Sequence, residues 1–203
     1  TVYLDDHGTY EGTTVFKSDG TDQTNVDVYQ NAVIVRNDTG TSITNTNLES
    51  GDRDAGDNDI KFDVSSGNVT FDSGFELHVW TGDTYDPGGT ITTQGAGGDV
   101  HVDDSSTLYL DTATNTIAAE ITIDTSATLN VQQTANVNGT GVAVDVTGTL
   151  NHTAGTFTIG NSTDEDLRVN SGATVSLSGG TTVIQDLLDI DAGDVTFSNT
   201  VDI

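Results

Sequence analysis

The sequence contains no cysteine, no methionine and a single proline, and only 5 of its 203 residues are lysine or arginine. Without cysteine the chain has no disulfide, no thiol nucleophile and no thiolate metal ligand. It also has no run of 18 or more apolar residues, so the sequence predicts no insertion into a membrane. Its stability must therefore come from packing, hydrogen bonds and bound ions.

The scarcity of basic residues leaves a large excess of negative charge. Asp and Glu number 32 together, and the formal net charge at pH 7 is −27. Such a surface repels itself unless salt or bound cations screen it. At about 1 M salt the Debye length is only about 3 Å. We therefore expect a protein that salt or cations stabilise, and one that does not bind nucleic acid.

A repeat fills the chain from residue 99 to residue 203. Its template is apolar-x-apolar-Asp/Asn, three variable residues, then Thr-apolar-x-apolar. The five copies begin at Val100, Ile121, Val142, Leu167 and Leu188. Their marker residues are Asp103, Asp124, Asp145, Asn170 and Asp191, so three intervals are 21 residues long and one is 25. A near-constant period of this size, filled with two-residue alternation, is typical of a stacked solenoid.

Each copy also carries a third apolar pair, which gives three short strands per coil. The pattern predicts an all-β protein, with a right-handed parallel β-helix of about 21 residues per coil over residues 58–203. Residues 1–57 lack the period but contain short alternating runs between glycines. They predict a small N-terminal β cap or β-sandwich-like domain, and no stretch predicts a helix of useful length.

Two sets of acidic residues are candidate calcium ligands. A loop holds four aspartates in a short span, and coil stacking is expected to align the markers along one edge; the candidates are Asp52, Asp54, Asp57, Asp59, Asp103, Asp124, Asp145 and Asp191. Calcium binds six to eight oxygen ligands, which such groups supply. The alternatives are a solvated loop in the first case and turn caps at strand ends in the second.

The histidines give no metal signature by their spacing. His7, His78 and His101 are scattered in the sequence and suggest no zinc site. His152 occupies an inward position that leucine, valine or phenylalanine fills in other copies. We expect His152 to be a buried, hydrogen-bonded core residue.

Five Asn-x-Ser/Thr sequons are candidate glycosylation sites, at Asn37, Asn68, Asn138, Asn151 and Asn161. At this composition roughly four would arise by chance. Glycosylation is therefore a prediction that the number of sequons does not itself support.

The periodic strands over residues 58–203 resemble the β-helix repeat proteins of microbial surfaces, and the acidic composition resembles that of halophilic archaeal surface proteins. The resemblance implies an extracellular or cell-surface structural protein, a filament or surface-layer subunit, without enzymatic activity. The alternatives are an adhesin and a β-helix that binds or cleaves carbohydrate. Aromatic residues that would favour carbohydrate are few near the expected outer surface: Trp80, Tyr85 and Tyr109.

Both termini carry pieces of the coil template. Residues 1–10 repeat its start, and the chain stops within it. An open coil exposes unpaired backbone groups that recruit another strand. We therefore expect a head-to-tail homopolymer through Val2, Leu4, Tyr10, Val201 and Ile203. The alternative is a fragment whose missing residues supply a cap.

Overall fold

Alternating apolar residues in short strands build a parallel β-solenoid. The computed structural model describes residues 1–7, 10–21, 26–51, 60–161 and 165–203. These residues form about eight turns of about 22 residues, with very little helix. The all-β prediction and the stacked parallel coils are confirmed.

The first elements precede the regular coils. They are β1 (Val2–His7), β2 (Tyr10–Lys17), β3 (Ala32–Asn37), α1 (Asn45–Gly51), β4 (Phe62–Ser65) and β5 (Asn68–Phe71).

The following coils each contribute three strands in the same order. They are β6 (Glu76–Val79), β7 (Thr84–Tyr85), β8 (Ile91–Thr92); β9 (Val100–Val102), β10 (Thr107–Leu110), β11 (Asn115–Ile117); β12 (Ile121–Ile123), β13 (Thr128–Val131), β14 (Ala135–Val137); β15 (Val144–Val146), β16 (Thr149–His152), β17 (Thr156–Ile159); β18 (Glu165–Val169), β19 (Thr174–Leu177), β20 (Thr181–Ile184); β21 (Leu187–Ile190), β22 (Asp194–Phe197) and β23 (Thr200–Asp202).

Three sheets run along the solenoid, one for each strand of a coil. Sheet 1 has the order β1-β2-β3-β6-β9-β12-β15-β18-β21, sheet 2 has β22-β19-β16-β13-β10-β7, and sheet 3 has β23-β20-β17-β14-β11-β8-β5-β4. Corresponding residues of successive coils pair in parallel, so inward side chains form columns. One column of sheet 1 contains Leu77, Val100, Ile121, Val144, Leu167 and Leu188. Apart from the last, these residues are fully buried.

The corner between sheets 1 and 2 is a β-turn that begins at the marker residue. The backbone N–H of Ser106 donates to Asp103 O, that of Ala127 to Asp124 O, and that of Ala173 to Asn170 O, over 2.9 to 3.1 Å. The third residue of each turn has a positive φ, as at Ser105 and Gly172. Such a turn favours glycine at that position, and asparagine or aspartate commonly starts a turn.

The predicted alignment is wrong for the third copy of the repeat, which forms β15, β16 and β17. Ile121 pairs with Val144 rather than Val142, and Thr122 pairs with Asp145. Asp145 therefore lies on the outer face in mid-strand, and Thr147 occupies the marker position. The coil has a longer corner before β15, at residues 138–143, and a shorter one after it, at residues 147–148. These changes nearly cancel in the period, and for this reason the sequence conceals them.

Glycine makes the shortened corner possible. A Cβ atom on Gly148 would lie 2.3 Å from Asp124 O and 2.4 Å from Ala127 O in the preceding coil. Any larger residue would therefore push the two coils apart.

From Leu77 onward the coil intervals in sheet 1 are 23, 21, 23, 23 and 21 residues.

The first strands belong to the same sheet as the coils. β2 pairs in parallel with β3, and β3 pairs in parallel with β6. The short helix α1, which the sequence did not predict, buries Leu48 and Asn45. The amide of Asn45 donates to Gly67 O at 2.8 Å and to Thr90 O at 3.1 Å, which ties α1 to the coil below. The domain division at residue 57 stays a prediction.

Candidate histidine and carboxylate site

Two histidines from neighbouring coils stack on the outer face of sheet 1. His78 lies in the middle of β6, His101 in the middle of β9, and the two residues are direct partners in the parallel pairing. Because strand side chains alternate, both rings face away from the core. Their centroids lie 4.4 Å apart with 13° between the ring planes.

Two carboxylates complete what we call the histidine cluster: Glu76, His78, His101 and Asp103. Glu76 Oε2 lies 3.2 Å from His78 Nε2 and 3.6 Å from His101 Nε2. Asp103 Oδ1 lies 3.3 Å from His78 Nδ1. The His78 side chain is 14% exposed and that of His101 30%, so the cluster is sheltered but open to solvent.

The two rings differ in their electrostatic surroundings. Burial lowers the pKa of His78, but hydrogen bonds and charge from Asp103 and Glu76 outweigh it, so that the pKa is raised overall. The pKa of His101 is lowered, by burial first and then by the neighbouring His78. The face thus favours positive charge at His78 while it disfavours a second charge beside it.

Aromatic side chains border the cluster. Tyr29 packs edge-on against His78, with centroids 5.6 Å apart, and lies 6.1 Å from Trp80. The Tyr29 side chain is 42% exposed. Tyr85, predicted near the outer surface, is instead fully buried, and its hydroxyl donates to Asn45 Oδ1 at 2.5 Å. The expectation for Tyr85 was wrong because β7 turns it inward above Leu108.

The predicted acidic column exists in part. Asp103, Asp124, Asn170 and Asp191 share one position in successive coils, with Thr147 in place of Asp145. Asp145 lies instead beside Arg168, with 3.6 Å between Oδ2 and Nη1, and it accepts a hydrogen bond from the Asn170 amide. The candidate loop set, which consists of Asp52, Asp54, Asp57 and Asp59, lies outside the described residues. Calcium binding stays a prediction.

His152 is buried and hydrogen-bonded, as predicted. It has no exposed surface, and it aligns with Val131 and Leu177 in sheet 2. Its Nδ1 lies 2.8 Å from Thr182 Oγ1 and its Nε2 lies 2.9 Å from Ala154 O. Burial lowers the pKa of this imidazole, so the interior favours the neutral ring.

The sequons lie in different surroundings. The side-chain oxygens of Asn37 and Asn68 accept hydrogen bonds from the backbone N–H groups of Thr39 and Thr90, respectively. Asn151 donates to Asn130 of the coil below at 3.1 Å. Asn138 is exposed, and Asn161 donates to its carbonyl at 3.5 Å. Glycosylation of these residues stays a prediction.

The predicted assembly residues lie in the first two strands and in or directly after the last strand. Val2 is 39% exposed and lies in β1, which pairs along one edge with β2 in the antiparallel direction. Leu4 is also in β1, but its side chain lies outside the described part. Tyr10 begins β2 and is 55% exposed. Val201 is in β23 and half-buried, and Ile203 is 65% exposed.

The histidine cluster was missed at the level of the sequence, although a signal for it was present. His78 and His101 are 23 residues apart, which is one coil. In a solenoid, outward residues one coil apart stack. The ligand spacings typical of zinc motifs are only a few residues long, so a separation of one full coil does not resemble them.

Fold and surface define the class of this protein as a parallel β-solenoid with an acidic exterior. Comparison of the chain with protein-family models, with curated proteins and with solved structures gives no match. Among the described residues, no helix has the length and apolar character needed to cross a membrane.

Proposed function

We propose that this chain is a structural module of an extracellular or cell-surface protein, and that its solenoid stacks end to end with further copies of itself. The observation that carries the proposal is the distribution of exposed apolar side chains. Among the described residues, the large apolar side chains that are exposed belong to the first two strands and to the last coil, with the exception of Tyr29, which packs against His78 on the side of the solenoid. The coils between them present polar residues.

The last coil supplies one contact surface. Its exposed apolar residues are Leu187, Ile190, Phe197 and Ile203, at 44 to 65% exposure. The strands of this coil form the final edges of all three sheets. Each edge presents backbone donors and acceptors that a further strand can pair with.

The first strands supply the other contact surface. β1 is the terminal strand of sheet 1 at the opposite end from β21. Pairing of the free edge of β1 with β21 of another copy would extend sheet 1 across the junction. Because the two surfaces differ and lie at opposite ends of sheet 1, the contact is heterologous, and copies stacked along the solenoid axis would add head to tail.

Charge makes the assembly dependent on salt. Each copy carries a net charge of −27, so two copies approach only when salt or cations screen them. The filament or surface-layer subunit, the extracellular location and the high-salt environment belong to the same proposal.

A complementation experiment tests the stacking. Val2→Asp places a charge on the first surface and Phe197→Asp places one on the last. In analytical ultracentrifugation at about 1 M salt, we expect the wild type to form long assemblies and each variant alone to remain monomeric. A mixture of the two variants retains one intact pair of surfaces and should form dimers but no longer species.

Thr122→Asp is the control, because it adds the same charge on a lateral face and should leave assembly intact. A wild type that stays monomeric at every salt concentration, or a mixture without dimers, would overturn the proposal.

Carbohydrate binding is the second candidate, and the Tyr29 and Trp80 pair on an exposed face favours it. Sugars stack on such aromatic faces. Trp80 is the single tryptophan of the chain, so a change in tryptophan fluorescence on addition of a neutral oligosaccharide would favour this candidate over stacking alone.

A further inference from the structure

We infer that Glu76, His78 and His101 form a binding site for a divalent transition-metal ion of the zinc type. One ligand atom from each of the three side chains lies within 4.8 Å of the other two. Two imidazoles and one carboxylate, with a further position open, form a donor set that zinc uses in proteins. The inference concerns the side of the solenoid and does not depend on stacking of its ends.

The distances fit a single ion. Zinc lies about 2.0 to 2.2 Å from nitrogen and oxygen ligands, which in a tetrahedral site sets two ligand atoms about 3.3 Å apart. The two distances from Glu76 Oε2 to the histidine Nε2 atoms are 3.2 and 3.6 Å. The stacked rings are nearly parallel, so the His101 ring must turn for both lone pairs to reach one ion, and its 30% exposure leaves it room.

Asp103 orients the His78 ring for this role. Its carboxylate only accepts hydrogen bonds, so His78 Nδ1 donates to it and the neutral ring keeps its lone pair on Nε2. That lone pair faces Glu76 Oε2, another acceptor, at 3.2 Å. Two acceptors at this distance need a positive species between them, either a proton or a metal ion. A carboxylate behind a metal-binding histidine is the usual second partner of such ligands.

The donor set distinguishes this site from the acidic column. Calcium and magnesium prefer oxygen ligands alone, whereas two of the three groups here are imidazoles, which suit zinc, copper or nickel. The remaining neighbours favour a cation without competing for it, because Asp99 and Asp103 contribute negative charge at His101.

Titration with zinc tests the inference. The full chain, freed of metal by dialysis against chelator, is titrated with ZnCl2 at about 1 M NaCl with magnesium in excess, so that non-specific binding to carboxylates is suppressed. We expect one zinc ion per chain. His101→Gln and Glu76→Gln should each weaken binding about a hundredfold, and Asp103→Asn about tenfold.

Asp124→Asn is the matched control, because it removes one negative charge from the same face, as Glu76→Gln does, but takes away no proposed ligand. Its affinity should match that of the wild type. Cobalt serves as a spectroscopic probe, since a four-coordinate site with nitrogen ligands gives strong visible absorption, which His101→Gln should abolish. Thermal melts without metal check that each variant is folded.

Three results would overturn the inference. They are zinc binding that excess magnesium removes, equal losses in Asp124→Asn and Glu76→Gln, and a cobalt spectrum that His101→Gln leaves unchanged.

Discussion

The coil formed by β12, β13 and β14 and the last coil, formed by β21, β22 and β23, have isoleucine at the same position in very different surroundings. Ile123 and Ile190 occupy one inward column of sheet 1, through Val146 and Val169. Ile123 has no exposed surface, whereas Ile190 is 44% exposed because no described coil covers it. Burying such a side chain fully is worth about 1.5 to 3 kcal/mol. The same inward isoleucine thus stabilises the core in one coil and lies exposed in the other.

The largest effect should come from breaking the covered coil. Ile123→Asn leaves a polar group without a partner between two coils, and we expect it to lower the free energy of unfolding by about 4 kcal/mol. Ile190→Asn, at the same position of the last coil, should cost about 1 kcal/mol or less in the monomer. Chemical denaturation of the two variants at high salt measures both values. Equal losses would show that the last coil is as well covered as the coil that contains Ile123.

A smaller effect concerns His152, which is buried in the interior. The unfolded chain binds a proton at His152 below about pH 6.5, and the folded chain does so only at lower pH, because burial lowers the pKa. Stability is therefore lost as the pH falls below about 6.5, by up to about 1.4 kcal/mol per pH unit, and this group has no effect above that range.

His152→Leu introduces leucine, which is the residue at the equivalent position of the next coil, Leu177. The variant should lack the acid sensitivity that His152 causes. Near pH 7 its free energy of unfolding should be about 1 kcal/mol lower, because the hydrogen bond to Thr182 is lost. Melting curves of both proteins from pH 8 to pH 5 in one buffer series allow the other titrating groups to cancel in the difference. Parallel curves would contradict the assignment.

The smallest effect concerns charge along the outer corner. Asp124 stacks on Asp103 of the preceding coil, and its pKa is raised by burial and then by Asp103 and Asp104. Asp124→Asn should raise the free energy of unfolding by about 0.5 to 1 kcal/mol at low salt, and by less at about 1 M salt. Asp191→Asn, in the last coil and next to Asn170, should change it less. Denaturation at two salt concentrations measures the difference, and a loss of stability in Asp124→Asn would show that a bound cation outweighs repulsion.

Much of the fold could be predicted because strand alternation is local. The inward residues of the regular coils, the three strands per coil and the buried His152 all follow from whether successive residues are apolar or polar. The alignment of successive coils could not be predicted in the same way. The longer corner at residues 138–143 and the shorter one at residues 147–148 changed the position of Asp145 while the period barely changed. A repeat length records the sum of corner lengths and not their distribution.

The candidate site was not predicted because its residues come together only in the folded chain. The sequence by itself determined that apolar and polar residues alternate, that the pattern repeats about every 21 residues and that the chain carries a strong negative charge, because these are properties of composition and of neighbouring residues. Only the tertiary structure decided that His78 stacks on His101 beside Glu76, that Asp145 leaves the acidic column, and that Tyr85 turns inward. Contacts between coils depend on the strand register. The register in turn depends on the length and conformation of each corner and on which side chains fit in the core. Neither can be read from the pattern of neighbouring residues in the sequence.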